Sequence, residues 1–496
     1  MQENFIALIY ILLISIIFFA FAGRSIICVI EQAQYKQRRN LWFGITIVAF
    51  LAGSFGVYVL VTLPLLIYAY RRETNQVALF FFILFALPSG FMQISGLGLV
   101  SNLFQLTHAR FLTLFFLLPV YFSLNRQGDT LPFGRTGSDK ALAIYLLLTA
   151  ILYLRDMTFT DTLRYIFYLF LDVFLPYFVI SRSLKNLQAF KDALLSLVIA
   201  IMLLALLATF ESSRHWLLYR SVIESLGLEG GMTAPIVRDG MLRVTVTAGH
   251  PIALGYLMAV GIGIYLFIQG NFRQTIVRRF GMALLTTGLF VPLSRGPWIG
   301  ACLLFIVFIA TGRNPARRLI LGALTGMLAL LLISTLPVGE KVVSLLPYIG
   351  TKEQDNVEFR EKLLTNSLIV IERNLWFGSV TFLEEPEMIA LTENGVIDVT
   401  NTYVAMALGR GVVGLGLFVG FFALVILGVK RAMDSIVDQE SEAYLLGRVL
   451  LATLLGILFI IYTTSSITII PLVNWSVAGL GVAYAQMVRK MSDSAP

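Results

Sequence analysis

Charge, cysteine and histidine are all scarce in this chain of 496 residues. Charged residues make up 13% of it and hydrophobic residues 58%, whereas a soluble domain carries about 25% charged residues. With a mean hydropathy of +0.84, that composition excludes an ordinary soluble enzyme and points to an integral membrane protein. Only two cysteines occur, Cys28 and Cys302, each in or beside an apolar run, so neither a disulfide framework nor a cysteine metal cluster is on offer. The three histidines, His108, His215 and His250, are far apart in sequence and give metal ligation little support. No GxxxxGK[ST] phosphate loop is present, so ATP hydrolysis does not power the protein. Low-complexity tracts are absent too. So is a repeat of one half in the other, which counts against an inverted-repeat transporter.

What the chain has instead is apolar runs near span length, from residues 5–22 to 468–484. A span needs about 20 mostly apolar residues, and the shorter runs must borrow flanking residues or tilt. Two regions are ambiguous: 41–70, broken at "GSFG", and 282–310, broken at "PLSRGPW". The expectation is an all-α polytopic membrane protein of about 12–15 transmembrane helices, with a long outer loop containing amphipathic helices.

Short basic connectors ("QYKQRRN", "YRRETN", "SRSLKN", "NFRQTIVRRF", "RNPARR", "VKRAM", "VRKM") belong on the cytoplasmic side. The formal charge of +8 comes from these edges, and nucleic acid need not be invoked. The first apolar run is long and reads as a span rather than a cleavable signal. The connector near 211–249 mixes both signs, and 338–400 is acid-rich through Glu340, Glu353, Asp355, Glu358, Glu384, Glu385 and Glu387; both belong on the outer face. The chain thus divides into N-terminal transmembrane helices (1–173), a transmembrane core with the first outer loop (174–337), a large outer loop (338–401), and C-terminal helices with a short tail (402–496).

Membrane-edge charges are costly and mark functional candidates. In "LSRGPWIG", Ser294 and Arg295 interrupt an apolar region. Arg295 either snorkels to the headgroups or offers its planar fork of donors to a phosphate. In "RDGMLRVTVTAGHPIALG", Arg238 and Arg243 precede His250; the histidine is structural or a ligand contact, and Arg243 is the better candidate for ligand contact. In "NVEFREKLLTNSLIVIERNLWFGSV", Phe359, Leu363, Ser367 and Val370 share one helical face, so an amphipathic surface helix is expected. Arg360 on it either pairs with Glu358 or Glu361 or serves the site. In "SSRHWLLYRSVIESLG", Trp216, Tyr219 and Ile223 read as interfacial anchors. In "VIDVTNTYVAMALGRGVVGLGLF", Thr400 and Asn401 suit a helix N-cap and Asp398 a loop carboxylate; alternatively the three polar groups form an acid–base site where a helix N-terminus favours an anion. The glycines of "GRGVVGLG" allow close backbone approach.

These elements, over roughly residues 174–489, resemble the bacterial O-antigen ligase and O-antigen/exopolysaccharide polymerase (Wzy-like) superfamily. The resemblance is carried by "LPYFVISR", "RVTVTAGHPIALGYL", "PLSRGPWIGA", "FREKLLTNSLIVIERNLWFGS" and "DVTNTYVAMALGRGVVGLGLF" in that order. It implies a GT-C-like glycosyltransferase of the bacterial inner membrane, with its site on the periplasmic face. Donor and acceptor would be undecaprenyl-diphosphate-linked oligosaccharides, and membrane lipids, a flippase and a chain-length regulator of the same pathway its partners. Ligases of the family commonly carry histidine before the asparagine; Thr400 stands there here, which favours a chain polymerase over a ligase acting on a lipid A-core.

The donor is already activated, so no ATP and no cofactor is required. No D-x-D motif is present, and arginines would take the place of a metal in stabilising the leaving diphosphate. Arg295 and Arg360, with Asp398 as proton acceptor, are the candidate catalytic residues; Glu384, Glu385 and Glu393 are rival bases. Arg243, Arg238, His250, Ser294, Asn401 and Thr400 are the candidate substrate-binding residues. A flippase for the same lipid-linked units is the competing class.

Overall fold

The computed structural model describes residues 2–26, 29–96, 102–128, 130–238, 240–334, 354–392 and 397–493. Cys28, Glu340, Glu353 and Glu393 lie outside these. The first part of the chain forms α1 (Gln2–Ile26), α2 (Gln32–Leu51), α3 (Phe55–Arg72) and α4 (Gln76–Ile83). An antiparallel hairpin, β1 (Phe91–Ser95) and β2 (Asn102–Thr107), follows. Next come α5 (His108–Leu112), α6 (Leu118–Arg126), α7 (Gly137–Asp156), α8 (Phe159–Leu169), α9 (Leu175–Ser183), α10 (Leu187–Arg214) and α11 (Arg220–Ser225). A second hairpin, β3 (Ile236–Arg238) and β4 (Met241–Arg243), leads into α12 (Pro251–Ile268), α13 (Thr275–Phe290), α14 (Arg295–Ala310) and α15 (Pro315–Ser334). The outer segment carries α16 (Gln354–Arg373) and α17 (Pro386–Ile389), and the chain closes with α18 (Thr402–Asp434), α19 (Glu442–Tyr462) and α20 (Ile470–Asp493).

Among the described residues, seven helical segments are long and apolar enough to cross a membrane: Glu3–Ser25, Gly137–Asp156, Phe159–Ser183, Leu187–Arg214, Pro251–Asn271, Thr402–Asp434 and Glu442–Tyr462. The chain is an all-α polytopic membrane protein. The expected 12–15 spans exceed seven because that expectation includes apolar runs which the fold places in shorter helices, such as α4, α13 and α14, or in helices rich in charge, such as α2 with Lys36, Arg38 and Arg39.

Both ambiguous regions break where the sequence suggests. Gly53 takes the left-handed conformation between α2 and α3, and Ser54 caps α3 by accepting from Val57 N–H. Leu293 takes a positive φ of 52° between α13 and α14. Side-chain caps also start several other helices: Asn75 for α4, Asn186 for α10, Ser441 for α19, and a full capping box of Thr136 and Asp139 for α7.

Helix α12 lies at the centre, buried along nearly its whole length against α10, α13, α14 and α19. Helices α18 and α20 pack on each other, α18 also on α7 and α20 on α9. The predicted amphipathic helix is α16, and its predicted face is the buried one: Leu363, Ser367 and Val370 are inaccessible and Phe359 packs against them. The expected anchors of the first outer loop differ. Tyr219 and Ile223 are buried in the protein core rather than spread at an interface, and Trp216 donates from Nε1 to Glu3 Oε1 at 3.1 Å.

Candidate active site at one end of the bundle

The N-terminal ends of α12, α14 and α18 and the C-terminal end of α19 meet around a hydroxyl-rich turn, "TTSSIT", residues 463–468. At α14, Ser294 is 2% exposed; its Oγ donates to Pro292 O (3.3 Å) and accepts from Arg243 Nη2 (2.9 Å). Arg243 also donates from Nε to Pro292 O at 3.3 Å, and Arg238 Nη1 donates to Leu293 O at 2.7 Å. The hairpin β3–β4 therefore docks both its arginines on the strained turn that presents Arg295. Arg295 is half-buried at the first residue of α14, where the helix N-terminus already favours an anion.

Gly296 seats this end of α14 against the turn. A Cβ there would lie 2.4 Å from Thr463 Oγ1, so only glycine lets α14 and Thr463 approach this closely. From the outer segment, Arg360 Nη2 reaches Thr463 O at 3.4 Å. Arg360 does not pair with Glu358, which is taken by Lys362 at 2.7 Å. At the mouth of α18, Thr402 Oγ1 donates to Thr464 O (2.9 Å) and lies 2.9 Å from Ser466 Oγ. Asn401 Oδ1 caps α18, accepting from the N–H groups of Tyr403 (2.9 Å) and Val404 (3.3 Å). Three of the sequence motifs thus converge on a turn that joins α19 to α20, and the β3–β4 hairpin braces one of them at residues 292–294.

His250 is the N-cap of α12: its Nδ1 accepts from Ile252 N–H at 3.2 Å. Burial, and after it the positive charge of Arg243, lowers its pKa from the ordinary 6.5 to about 4. The imidazole is neutral at physiological pH, and with Nδ1 accepting, the proton resides on Nε2. His250 can donate to a ligand from Nε2; it is not free to act as a base through Nδ1.

Asp398 is exposed, and no hydrogen bond or ion pair joins it to these arginines. Thr400 is half-buried beside the cap. Of the rival carboxylates, Glu384 is exposed, while Glu385 and Glu387 are engaged by Arg373, Glu385 at 2.9 Å. Arg373 holds the Glu387 carboxyl below the usual carboxylate range. This cluster fastens the end of α16 to α17.

Two sets of residues escape sequence reasoning. One is the 463–468 turn itself, whose signal is a run of hydroxyl side chains between two apolar spans. The other is Glu211, fully buried near the end of α10. Its carboxylate accepts from the backbone N–H groups of Leu218 (2.9 Å), Thr245 (3.3 Å) and Val246 (3.1 Å). Val246 has a φ of 47°, so Glu211 stabilises the unusual backbone that carries Arg243 toward His250. Its only sequence signal is an acidic residue closing an apolar run.

Helix α18 is not continuous. Gly411 has φ 64° and ψ −172°, a break about two and a half turns into the helix. The backbone groups the break releases are satisfied by the segment after α16: Val412 N–H donates to Leu375 O (2.8 Å), Val413 N–H to Trp376 O (3.2 Å), and Ser379 N–H to Leu408 O (2.9 Å). A Cβ on Gly411 would lie 2.3 Å from the Trp376 carbonyl, and one on Gly378 would lie 2.4 Å from Leu408 O. Gly411 therefore admits a loop backbone rather than the neighbouring helix its spacing suggests, while Gly416 faces open space. Arg410 beside the break donates to Thr149 Oγ1 (3.1 Å) and Tyr165 Oη (2.7 Å), tying α18 to α7 and α8.

Comparison with curated proteins finds no match. The family model described as O-Antigen ligase matches residues 280–419, a stretch running from α13 through α14 and α16 to the broken half of α18 and containing Ser294, Arg295, Arg360 and Asn401. Over residues 280–419 the chain is thus similar to the O-antigen ligase family.

Proposed function

We propose that this protein is an inner-membrane polysaccharide polymerase, within the glycan-transfer chemistry that its O-antigen ligase domain supports. A polyprenyl-diphosphate-linked glycan is the donor, and a sugar hydroxyl of a second lipid-linked unit is the acceptor, at the periplasmic face. The observation that carries this reading is the convergence of Arg243 with Ser294, Arg295, Arg360 and the Asn401-capped N-terminus of α18 on the 463–468 turn.

In the transfer, the acceptor oxygen forms a bond to the anomeric carbon while the bond to the diphosphate oxygen breaks. The electron pair leaves with the diphosphate, and the hydroxyl proton passes to a carboxylate. Preorganised cations stabilise the growing negative charge best in a site sheltered from water. Arg295 at a helix N-terminus and Arg360 on the edge of α16 are placed for that, with Arg243 and Arg238 fixing the turn between them. His250 Nε2–H is a further donor for a phosphate or sugar oxygen. Asp398, next to the cap, is the proposed proton acceptor and Thr400 an acceptor-side contact. Thr400 in place of the histidine of ligases favours chain extension over transfer to a lipid A-core.

The deciding experiment incubates purified protein in detergent with lipid-linked repeat units alone. Lengthening of the lipid-linked glycan supports the proposal. Transfer only when a lipid A-core is added makes the protein a ligase. Movement of the units across proteoliposomes with no lengthening makes it a flippase.

A further inference from the structure

At the opposite end of the bundle from the site, α7, α9, α18 and α20 enclose a cavity of about 1100 Å³. Among the described residues, six cationic side chains line it against one carboxylate, Asp493. Arg182 pairs with buried Asp139 at 2.6 Å and Arg489 with Asp493 at 4.0 Å, and Lys185 is engaged as well. Arg135, Arg431 and Lys490 make no ion pair with any described residue and are exposed to the cavity mouth.

Charge alone would make this an ordinary basic membrane edge; the size of the cavity and its apolar wall separate it from one. The remaining wall is apolar: Leu424 and Leu427, 41% and 44% exposed, with Gly428, Val482 and Ala485. The volume far exceeds what a free phosphate fills, since a water takes about 30 Å³ of liquid.

We propose that this cavity binds an anionic phospholipid, its phosphate held by Arg135, Arg431 and Lys490, and an acyl chain lying along Leu424 and Leu427. Basic pockets between transmembrane helices take such headgroups. The site is separate from the transfer chemistry and stands whether or not that reading holds.

The test is thermal unfolding of the purified full-length protein in neutral detergent, titrated with phosphatidylglycerol, phosphatidylcholine or inorganic phosphate. Phosphatidylglycerol should raise the Tm saturably, and the other two should not. The double variant Arg431→Gln/Lys490→Gln should weaken the phosphatidylglycerol dependence about 30-fold, from about 1 kcal/mol per basic residue near a lipid surface. Arg273→Gln, an exposed cation at the same end but outside the cavity, should leave it unchanged. Equal protection by inorganic phosphate or phosphatidylcholine overturns the proposal. So does an unaltered response in the cavity variant, or an equal loss in Arg273→Gln.

Discussion

An arginine facing a diphosphate contributes most when the glycosidic bond is breaking, because the leaving group then carries the most charge. Removing one such contact, by Arg295→Ala, should cost about 2 to 4 kcal/mol of transition-state stabilisation, roughly two to three orders of magnitude in the rate of chain extension. Arg295→Lys should recover part of it, since an ammonium cannot reproduce the two-pronged donor fork; wild-type rates in purified Arg295→Ala would remove Arg295 from the chemistry. Asp398→Asn should keep the fold and lose most turnover, and near-normal extension would reduce Asp398 to a loop residue. His250 supplies a pH prediction. Its folded-state pKa, about 4, lies below the ordinary 6.5, so the stability it contributes is complete above pH 6.5 and is lost as pH falls toward 4, when Nδ1 protonates and can no longer accept from Ile252. Hydrogen exchange at Ile252 should accelerate over that window in the wild type and not in His250→Asn, where an amide oxygen caps at every pH. Residues of this kind were legible because charge at a membrane edge is expensive and stands out in an apolar sequence. Glu211 was not, because its role depends on backbone donors contributed by residues 218, 245 and 246, which only the fold brings together.

At the scale of elements, the break in α18 couples the outer segment to the membrane bundle. The three backbone hydrogen bonds between 375–379 and 408–413 fix where α16 ends. Arg155 adds a fourth tie, donating from Nη2 to Gly378 O at 2.7 Å, and Asp156 accepts from Val380 N–H at 2.9 Å. Since α16 carries Arg360, this latch sets where that guanidinium lies. Gly411→Ala combines a positive-φ extended backbone that is essentially restricted to glycine, costly for alanine by roughly 1–3 kcal/mol, with a methyl group placed on the Trp376 carbonyl. It should undock the 374–379 segment, seen as new protease cleavage there. Gly416→Ala, in open space, should not. Arg155→Ala should loosen the same segment more mildly and lower turnover together with Arg360→Ala non-additively, because both act on one element. The amphipathic period of α16 and the Asn401 cap of α18 were readable from local sequence. The docking of "NLWFGS" into a broken helix was not, since a glycine within an apolar span signals only that some close approach occurs, not what approaches.

At the scale of the whole molecule, the two ends of the bundle are chemically opposite. One gathers hydroxyls, the arginines of β3–β4, α14 and α16, and the acid-rich outer segment; the other gathers the short basic connectors and the cavity lined by Arg135, Arg431 and Lys490. A bias of lysine and arginine to one set of short loops orients such a chain with those loops in the cytoplasm. This orientation puts the 463–468 turn outside, where a lipid-linked glycan would be extended. It is testable without any assay of transfer. In a background with Cys28 and Cys302 replaced, single cysteines at Glu384 and Ser435, both exposed and at opposite ends of the path through α18, should differ in reactivity toward an impermeant maleimide. In cells with a permeabilised outer membrane and an intact inner one, Glu384→Cys should label and Ser435→Cys should label only after lysis. The reverse pattern would place the arginine-lined end in the cytoplasm, where a periplasmic polymerase cannot work, and would leave the family domain without its proposed substrate. Labelling of both before lysis would mean that residues 402–434 do not cross the membrane at all, although they form its longest apolar helix.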